Sequence, residues 1–122
     1  MKTKSARVRS LQPRLRARVG GEIALGPGKV ELLEFVRETG SIAEAAKQMG
    51  MSYMRAWTLI RTMNNCFKQP LVIAVRGGSK GGGGATLTET GSEALTLYQQ
   101  MMGRCLEVTR PDWKRLQKLL NR

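Results

Sequence analysis

The sequence predicts a mainly helical fold with a small β component, and three observations support this prediction. Residues 41–67 carry two helix-start signals separated by a glycine. Residues 70–87 hold two strand-like segments on either side of a glycine-rich stretch. Residues 94–108 repeat apolar positions at helical spacing. The expected chain is therefore a group of short helices, a hairpin and a long C-terminal helix.

The N-terminal region predicts a tail followed by a small hairpin. Residues 1–13 carry four basic side chains and no acid, which is typical of a disordered basic tail, either merely solvated or attracted to phosphates. From Arg14 to Val19, arginine alternates with apolar residues, so a strand is expected with Leu15, Ala17 and Val19 facing inward. Gly20 and Gly21 would turn the chain, and residues 22–25 would return as a second strand.

A first helix is expected from Lys29 to Thr39. Pro27 fits at the helix start, where its missing N–H is not needed, and Gly40 is a natural stop. The apolar residues within the segment favour broad packing into a core, and they are Val30, Leu32, Leu33, Phe35 and Val36.

Two capped helices are expected to follow Gly40. Ser41 would cap the first, with Glu44 reaching back to the N–H of Ser41, and Gly50 would end it. Ser52 would cap the second. The apolar stripe of the first helix is Ile42, Ala45, Ala46 and Met49, and the inner face of the second is Tyr53, Ala56, Ile60, Met63 and Phe67.

The outer face of the second helix predicts its function. It carries Met54, Thr58, Arg61 and Asn65, and the helix has arginine without acid, which suits a surface rich in acceptors and anionic groups. These features favour a helix-turn-helix whose second helix reads DNA. The alternative is an ordinary pair of antiparallel helices.

The glycine-rich stretch predicts a hairpin wing. Residues 70–75 and 85–87 are strand-like, and Arg76 and Lys80 lie in the segment between them. A phosphate-binding loop of the Walker type is excluded because Lys80 is followed by Gly81 and then a strand, and not by Ser or Thr and a helix. The wing is expected to approach the DNA backbone or minor groove; the alternative is a merely flexible hairpin.

The last helix is expected to begin after Thr88, its N-cap, and to mediate dimerisation. One apolar row would dock on the domain and the other would meet a second copy, the alternative being that both rows pack within one chain. Pro111 is expected to break or restart this helix. The predicted dimerisation residues are Ala94, Tyr98, Met101, Cys105 and Val108.

Composition narrows the function classes. The chain has 122 residues, 21 Lys and Arg, 9 Asp and Glu and no His, for a net charge of +12. A polyanion is the expected partner, with nucleic acid ahead of a membrane because no long apolar run or signal pattern is present, and a cytoplasmic location is expected. The chain has no His, and Cys66 and Cys105 lie far apart without metal-ligand spacing, so no metal site or other cofactor is predicted. No plausible pair of nucleophile and base is present either, so no catalytic residue and no enzyme activity is predicted. Six aromatic residues, mostly at apolar helix positions, disfavour single-strand binding.

Several motifs together resemble the N-terminal DNA-binding domain of the molybdate-responsive transcriptional regulators, the ModE family. The Ser-Tyr-x-x-Ala-Trp motif begins at Ser52, and the wing sequence Gly-Gly-x-x-Gly-Gly-Gly-Gly-Ala begins at Gly77. The resemblance covers residues 14–102. LysR-type regulators share the helix-turn-helix plan without that wing and are the more distant relative.

The resemblance implies a winged helix-turn-helix over residues 14–88, with residues 89–122 forming the dimerisation helix and tail. It implies a homodimer on palindromic double-stranded DNA, linked to molybdenum, with Trp57 mainly a packing residue. Oxyanion-binding domains of the family have no counterpart here, so a stand-alone form without an effector site is expected. A protein-interaction module that pairs with a full-length regulator is the alternative. The expected DNA-binding residues are Ser41, Ser52, Tyr53, Met54, Arg55, Thr58, Arg61, Arg76 and Lys80.

Overall fold

The computed structural model describes residues 8–75 and 84–121. Within these ranges it is mainly helical with two small antiparallel hairpins, which confirms the predicted fold class of a winged helix-turn-helix. The elements in chain order are β1 (Ala17–Val19), β2 (Glu22–Leu25), α1 (Pro27–Thr39), α2 (Ile42–Gln48), α3 (Tyr53–Cys66), β3 (Val72–Val75), β4 (Gly84–Leu87) and α4 (Glu89–Gln117).

The chain divides into two compact units. Arg14–Tyr98 forms one unit, and the other combines Gln99–Arg122 with the stretch that precedes Arg14. In the second unit, Arg9 Nη1 donates to the carbonyl oxygen of Gln117 at 2.8 Å. Residues 8–13 form neither helix nor strand, and the first seven residues of the predicted tail lie outside the described part of the chain.

The core of the Arg14–Tyr98 unit is apolar. Within the described residues, no polar or charged side chain is fully buried. Each of the helices α1, α2 and α3 contributes one face, β2 and the start of β3 add to them, and the first turns of α4 close the unit. The most deeply buried large side chains are Leu32, Leu33, Val36, Ile60, Met63, Leu71 and Leu95.

The first hairpin differs from its prediction in length and burial. Strand β1 covers only Ala17–Val19, all exposed, and Val19 is 53% exposed, so the expected inward face of this strand was wrong. The register of β1 against β2 shifts between Ala17 and Arg18. Such a bulge breaks the two-residue alternation on which the prediction depended. The core contact of this hairpin comes instead from Ala24 and Leu25 of β2.

Helix α4 continues through Pro111, contrary to the predicted break. Proline lacks the N–H that would bond the carbonyl four residues earlier, which belongs to Glu107. Both residues are exposed, so water can reach the unpaired Glu107 carbonyl. The lost hydrogen bond is therefore tolerated within the helix.

Candidate nucleic-acid interface

Two serine caps fix where α2 and α3 begin. The Ser41 hydroxyl accepts from Glu44 N at 3.1 Å, and the Ser52 hydroxyl accepts from Arg55 N at 3.1 Å, as the sequence predicted. The predicted hydrogen bond between the Glu44 side chain and the N–H of Ser41 is replaced by another bond. Ser41 N donates instead to Thr39 Oγ1 at 3.2 Å, so the last residue of α1 completes this cap.

Helix α3 has one buried and one exposed face. Ala56, Ile60 and Met63 are 0% exposed and pack into the core. The other face is exposed throughout and lacks acidic residues. Tyr53 differs from its expected inward position, because its side chain is 51% exposed at the start of the helix. The exposed side chains are Tyr53, Met54, Arg55, Trp57, Thr58, Arg61 and Asn65.

A side-chain amide that the sequence analysis did not single out joins α3 to the wing. Asn64 Oδ1 accepts from Leu71 N at 2.8 Å and from Val72 N at 3.2 Å. Asn64 Nδ2 donates to the Val72 carbonyl at 3.0 Å. The spacing of apolar residues could not indicate this role, because Asn64 lies at the boundary between the buried and exposed faces.

The root of the wing is also held by the beginning of α4. Thr88 N donates to the Leu71 carbonyl at 2.9 Å, and Thr88 Oγ1 donates to the Pro70 carbonyl at 2.7 Å. Gly91 N donates to Thr88 Oγ1 at 2.9 Å, which makes Thr88 the helix cap, as predicted. Gly91 lies against Leu71 so closely that a Cβ at position 91 would overlap the Leu71 carbonyl.

Strands β3 and β4 pair in register, with Val72 opposite Leu87 and Val75 opposite Gly84. Ala85 N donates to the Gly40 carbonyl at 2.9 Å, which ties β4 to the corner between α1 and α2. The predicted contact residues Arg76 and Lys80 lie outside the described residues.

Helix α4 places the predicted dimerisation residues in different environments. Ala94 is 9% exposed and Tyr98 is 6% exposed, so both pack inside the Arg14–Tyr98 unit and have little surface for a partner. Met101 is 49% exposed, Val108 is 78% exposed and Cys105 is half-buried. Only the C-terminal part of the predicted stripe is therefore accessible.

Tyr98 anchors the N-terminal segment of its unit. Its hydroxyl donates to the Leu15 carbonyl at 2.9 Å. Burial raises the pKa of Tyr98 above its ordinary value of 10.0, while the positive charges of Arg14 and Arg16 act in the opposite direction. A raised pKa extends the pH range in which the phenol keeps its proton and can donate to Leu15.

Clusters of metal-ligating side chains and membrane-spanning helices are both absent from the described part of the chain. Within residues 8–75 and 84–121, no three Cys, Asp or Glu side chains lie together as metal ligands would. In the same ranges, no helix has the length and apolar character needed to cross a bilayer.

The chain matches one family model and several curated proteins. The model is described as bacterial regulatory helix-turn-helix protein, lysR family, and it matches residues 28–92, more than half of the 122 residues.

Three relatives confirm the resemblance to ModE. The chain is 40% identical to the molybdenum-pterin-binding protein MopA of Rhodobacter capsulatus over 77% of this chain and 33% of that protein. It is 37% identical to the molybdenum transport protein ModE of Azotobacter vinelandii over 80% of this chain and 40% of that protein. It is 38% identical to the DNA-binding transcriptional dual regulator ModE of Escherichia coli K12 over 70% of this chain and 34% of that protein.

The chain thus spans only about a third to two fifths of the length of these relatives. The range matched by the family model, residues 28–92, includes the capped helices α2 and α3 and the strands β3 and β4. On the family model and these relatives together, the chain belongs to the bacterial regulatory helix-turn-helix proteins of the lysR family and carries a ModE-like DNA-binding region.

Proposed function

We propose that this protein is a transcriptional regulator that binds double-stranded DNA as a homodimer, with α3 in the major groove. The single observation that carries the proposal is the outer face of α3. This face is exposed, carries arginine without acid and is held rigidly by a serine cap at one end and the Asn64 bonds near the other. A rigid, acid-free helix on a protein of net charge +12 matches a polyanion with readable base edges.

Arg55 and Arg61 are the candidates for a base contact. Both guanidinium groups are exposed on α3. A bidentate arginine contact to guanine contributes about 1–3 kcal/mol of discrimination between bases. Ser41, Ser52 and Thr58 would lie beside the groove, and the wing residues Arg76 and Lys80, with the N-terminal arginines, would supply salt-sensitive attraction to phosphates.

Dimerisation would use the accessible part of α4. Met101, Cys105 and Val108 recur at three- and four-residue spacing, and two of them are strongly exposed. Apolar side chains in such a row are stabilised by covering them with a second copy. A two-fold dimer would place its α3 helices in successive major grooves, with the half-sites of a palindromic operator about 34–36 Å apart.

A link to molybdenum rests on the relatives. MopA is named for molybdenum-pterin binding, and the Azotobacter ModE is named for molybdenum transport. We infer that the genes regulated by this protein belong to molybdenum or related oxyanion metabolism.

Footprinting of the purified protein on the DNA that flanks its own gene tests the proposal. The expected result is two protected half-sites, related by two-fold symmetry and about one helical turn apart. The same experiment with and without molybdate tests the metabolic link through a change in the protected region or in affinity.

Protection of random duplex with the same affinity would contradict sequence-specific regulation. A protein that sediments as a monomer and does not bind operator DNA would favour the alternative, an interaction module that pairs with a full-length regulator.

A further inference from the structure

The start of α3 exposes three large apolar side chains. Tyr53, Met54 and Trp57 are 51%, 64% and 39% exposed, although Ala56 in the same helical turns is 0% exposed. A helix that only packed on the core would show apolar side chains on one face and polar ones on the other. The first two turns of α3 therefore carry large apolar side chains on the exposed face as well as on the buried one.

Met54 is the most exposed of these three side chains. It shares the outer face with Thr58, Arg61 and Asn65, at three- and four-residue spacing, while Trp57 flanks the row. Met54 also lies in the N-terminal turn, the part of a recognition helix that contacts base edges. Its side chain, 64% exposed, contributes little to the core.

The chemistry of the major groove offers one apolar partner for such a side chain. Each base pair presents hydrogen-bonding groups at its edge there, and thymine alone of the four bases adds a methyl group, at C5. The charges of α3 favour DNA as the occupant over an apolar protein surface, because the helix carries Arg55 and Arg61 and no acid.

The geometry points to Met54 as a specificity-determining residue that recognises thymine through its C5-methyl group, with Trp57 bordering the contact. This inference rests on the proposed function and deepens it by naming the base that α3 reads with its apolar side chains. Arg61 and Met54 would then divide the recognition, since the guanidinium suits guanine and the thioether suits thymine.

The test begins with selection of binding sites from a random duplex library by the wild-type protein. Each thymine of the selected site is then replaced singly by deoxyuridine, which removes the methyl group and keeps the hydrogen-bonding pattern. Affinity is measured for wild type, for Met54→Ala and for Val19→Ala. Val19 is an apolar side chain that is 53% exposed on β1 and serves as the matched control.

At one thymine or more of each half-site, the wild type and Val19→Ala should lose about fourfold in affinity on replacement by deoxyuridine, as for the burial of one methyl group. Met54→Ala should bind the thymine site about fourfold more weakly and show no further loss with deoxyuridine there. Thermal unfolding should be unchanged in Met54→Ala, because the side chain is outside the core.

Wild-type affinity that is indifferent to every deoxyuridine would overturn the inference, as would undiminished sensitivity to deoxyuridine in Met54→Ala. Either result would leave the proposed function standing. Failure of the wild type to enrich any duplex sequence would instead overturn the proposed function itself.

Discussion

The side-chain amide of Asn64 forms hydrogen bonds with both backbone groups of Val72, the N–H and the carbonyl. The Asn64 side chain accepts from Val72 N at 3.2 Å and donates to the Val72 carbonyl at 3.0 Å. A single side chain of α3 therefore binds both the N–H and the carbonyl of Val72, as a neighbouring strand would.

Replacement of Asn64 should destabilise the protein. Asn64→Ala removes the partners of Leu71 N and Val72 N, and partly buried amides without partners cost about 1–3 kcal/mol of unfolding free energy. Asn64→Asp keeps the acceptor and should lose less. Urea unfolding measures both, with Asn65→Ala as the control, because the exposed Asn65 should change the free energy by less than about 0.5 kcal/mol. Equal losses at the two positions would contradict the role of Asn64.

Two glycines of α4 should respond oppositely to alanine. Gly91→Ala places a Cβ on the Leu71 carbonyl and should lower the free energy of unfolding by about 1–3 kcal/mol. Gly103 has no atom within 4 Å of its Cβ position, so Gly103→Ala should raise the free energy by about 0.5–1 kcal/mol through helix propensity. Thermal melts of the two variants check the pair, and a stable Gly91→Ala protein would rule out the close approach.

Tyr98 should make stability depend on pH in the alkaline range. Its pKa is raised in the folded state, so the unfolded chain loses the phenolic proton first, at about pH 10. The contribution of Tyr98 is complete below that pH and is lost as pH rises through the higher folded-state pKa. Tyr98→Phe should remove this part of the pH dependence.

At neutral pH, Tyr98→Phe should also cost about 1 kcal/mol, because the hydrogen bond to Leu15 is lost. Tyr53→Phe, on an exposed side chain, is the control for the neutral measurement. The unfolding free energies of wild type and Tyr98→Phe should be measured from pH 7 to 11. A difference between the two proteins that does not narrow above pH 10 would contradict the prediction.

Arg61 and Lys80 should affect DNA binding differently. Arg61→Ala should weaken binding to the operator by about 1–3 kcal/mol more than binding to random duplex, because it removes a base contact. Lys80→Ala should weaken both alike and reduce the slope of log affinity against log salt by about 1. Fluorescence anisotropy over a salt series measures both. Equal losses on the two DNAs for Arg61→Ala would exclude this residue as a reader.

Val108 offers a test of the dimer. Val108→Glu puts a charge into the accessible apolar row and should convert the protein to monomers in sedimentation equilibrium. Gln100→Glu adds the same charge at an exposed position of α4 outside that row and should leave the dimer intact. A wild-type monomer, or a Val108→Glu dimer, would count against dimerisation through this helix.

The sequence predicted the elements that depend on local signals. Ser41, Ser52 and Thr88 are caps whose hydroxyls act on backbone within three residues, so each helix start followed from a short stretch of sequence. The outward face of α3 likewise followed from helical spacing.

The features that were missed depend on contacts distant in sequence. Helical spacing identifies Ala94 and Tyr98 as apolar neighbours, but it does not show whether their own domain or a second copy covers them. The partner of Tyr98 is Leu15, at the other end of its unit in sequence. The hydrogen bonds of Asn64 to Leu71 and Val72 could be predicted only from the tertiary fold, which brings α3 and β3 together.

The two backbone groups of Leu71 are hydrogen-bonded to two different helices, which limits where the sequence can vary. Its N–H is bound by α3 and its carbonyl by the cap of α4, so both helices are positioned by a residue before the exposed part of β3. Insertions or substitutions between Val75 and Gly84 would leave those two attachments intact, because both attachments lie outside that segment. The segment between these two residues can therefore be exchanged among variants, or shortened by design, without removing the attachments of α3 and α4 to Leu71.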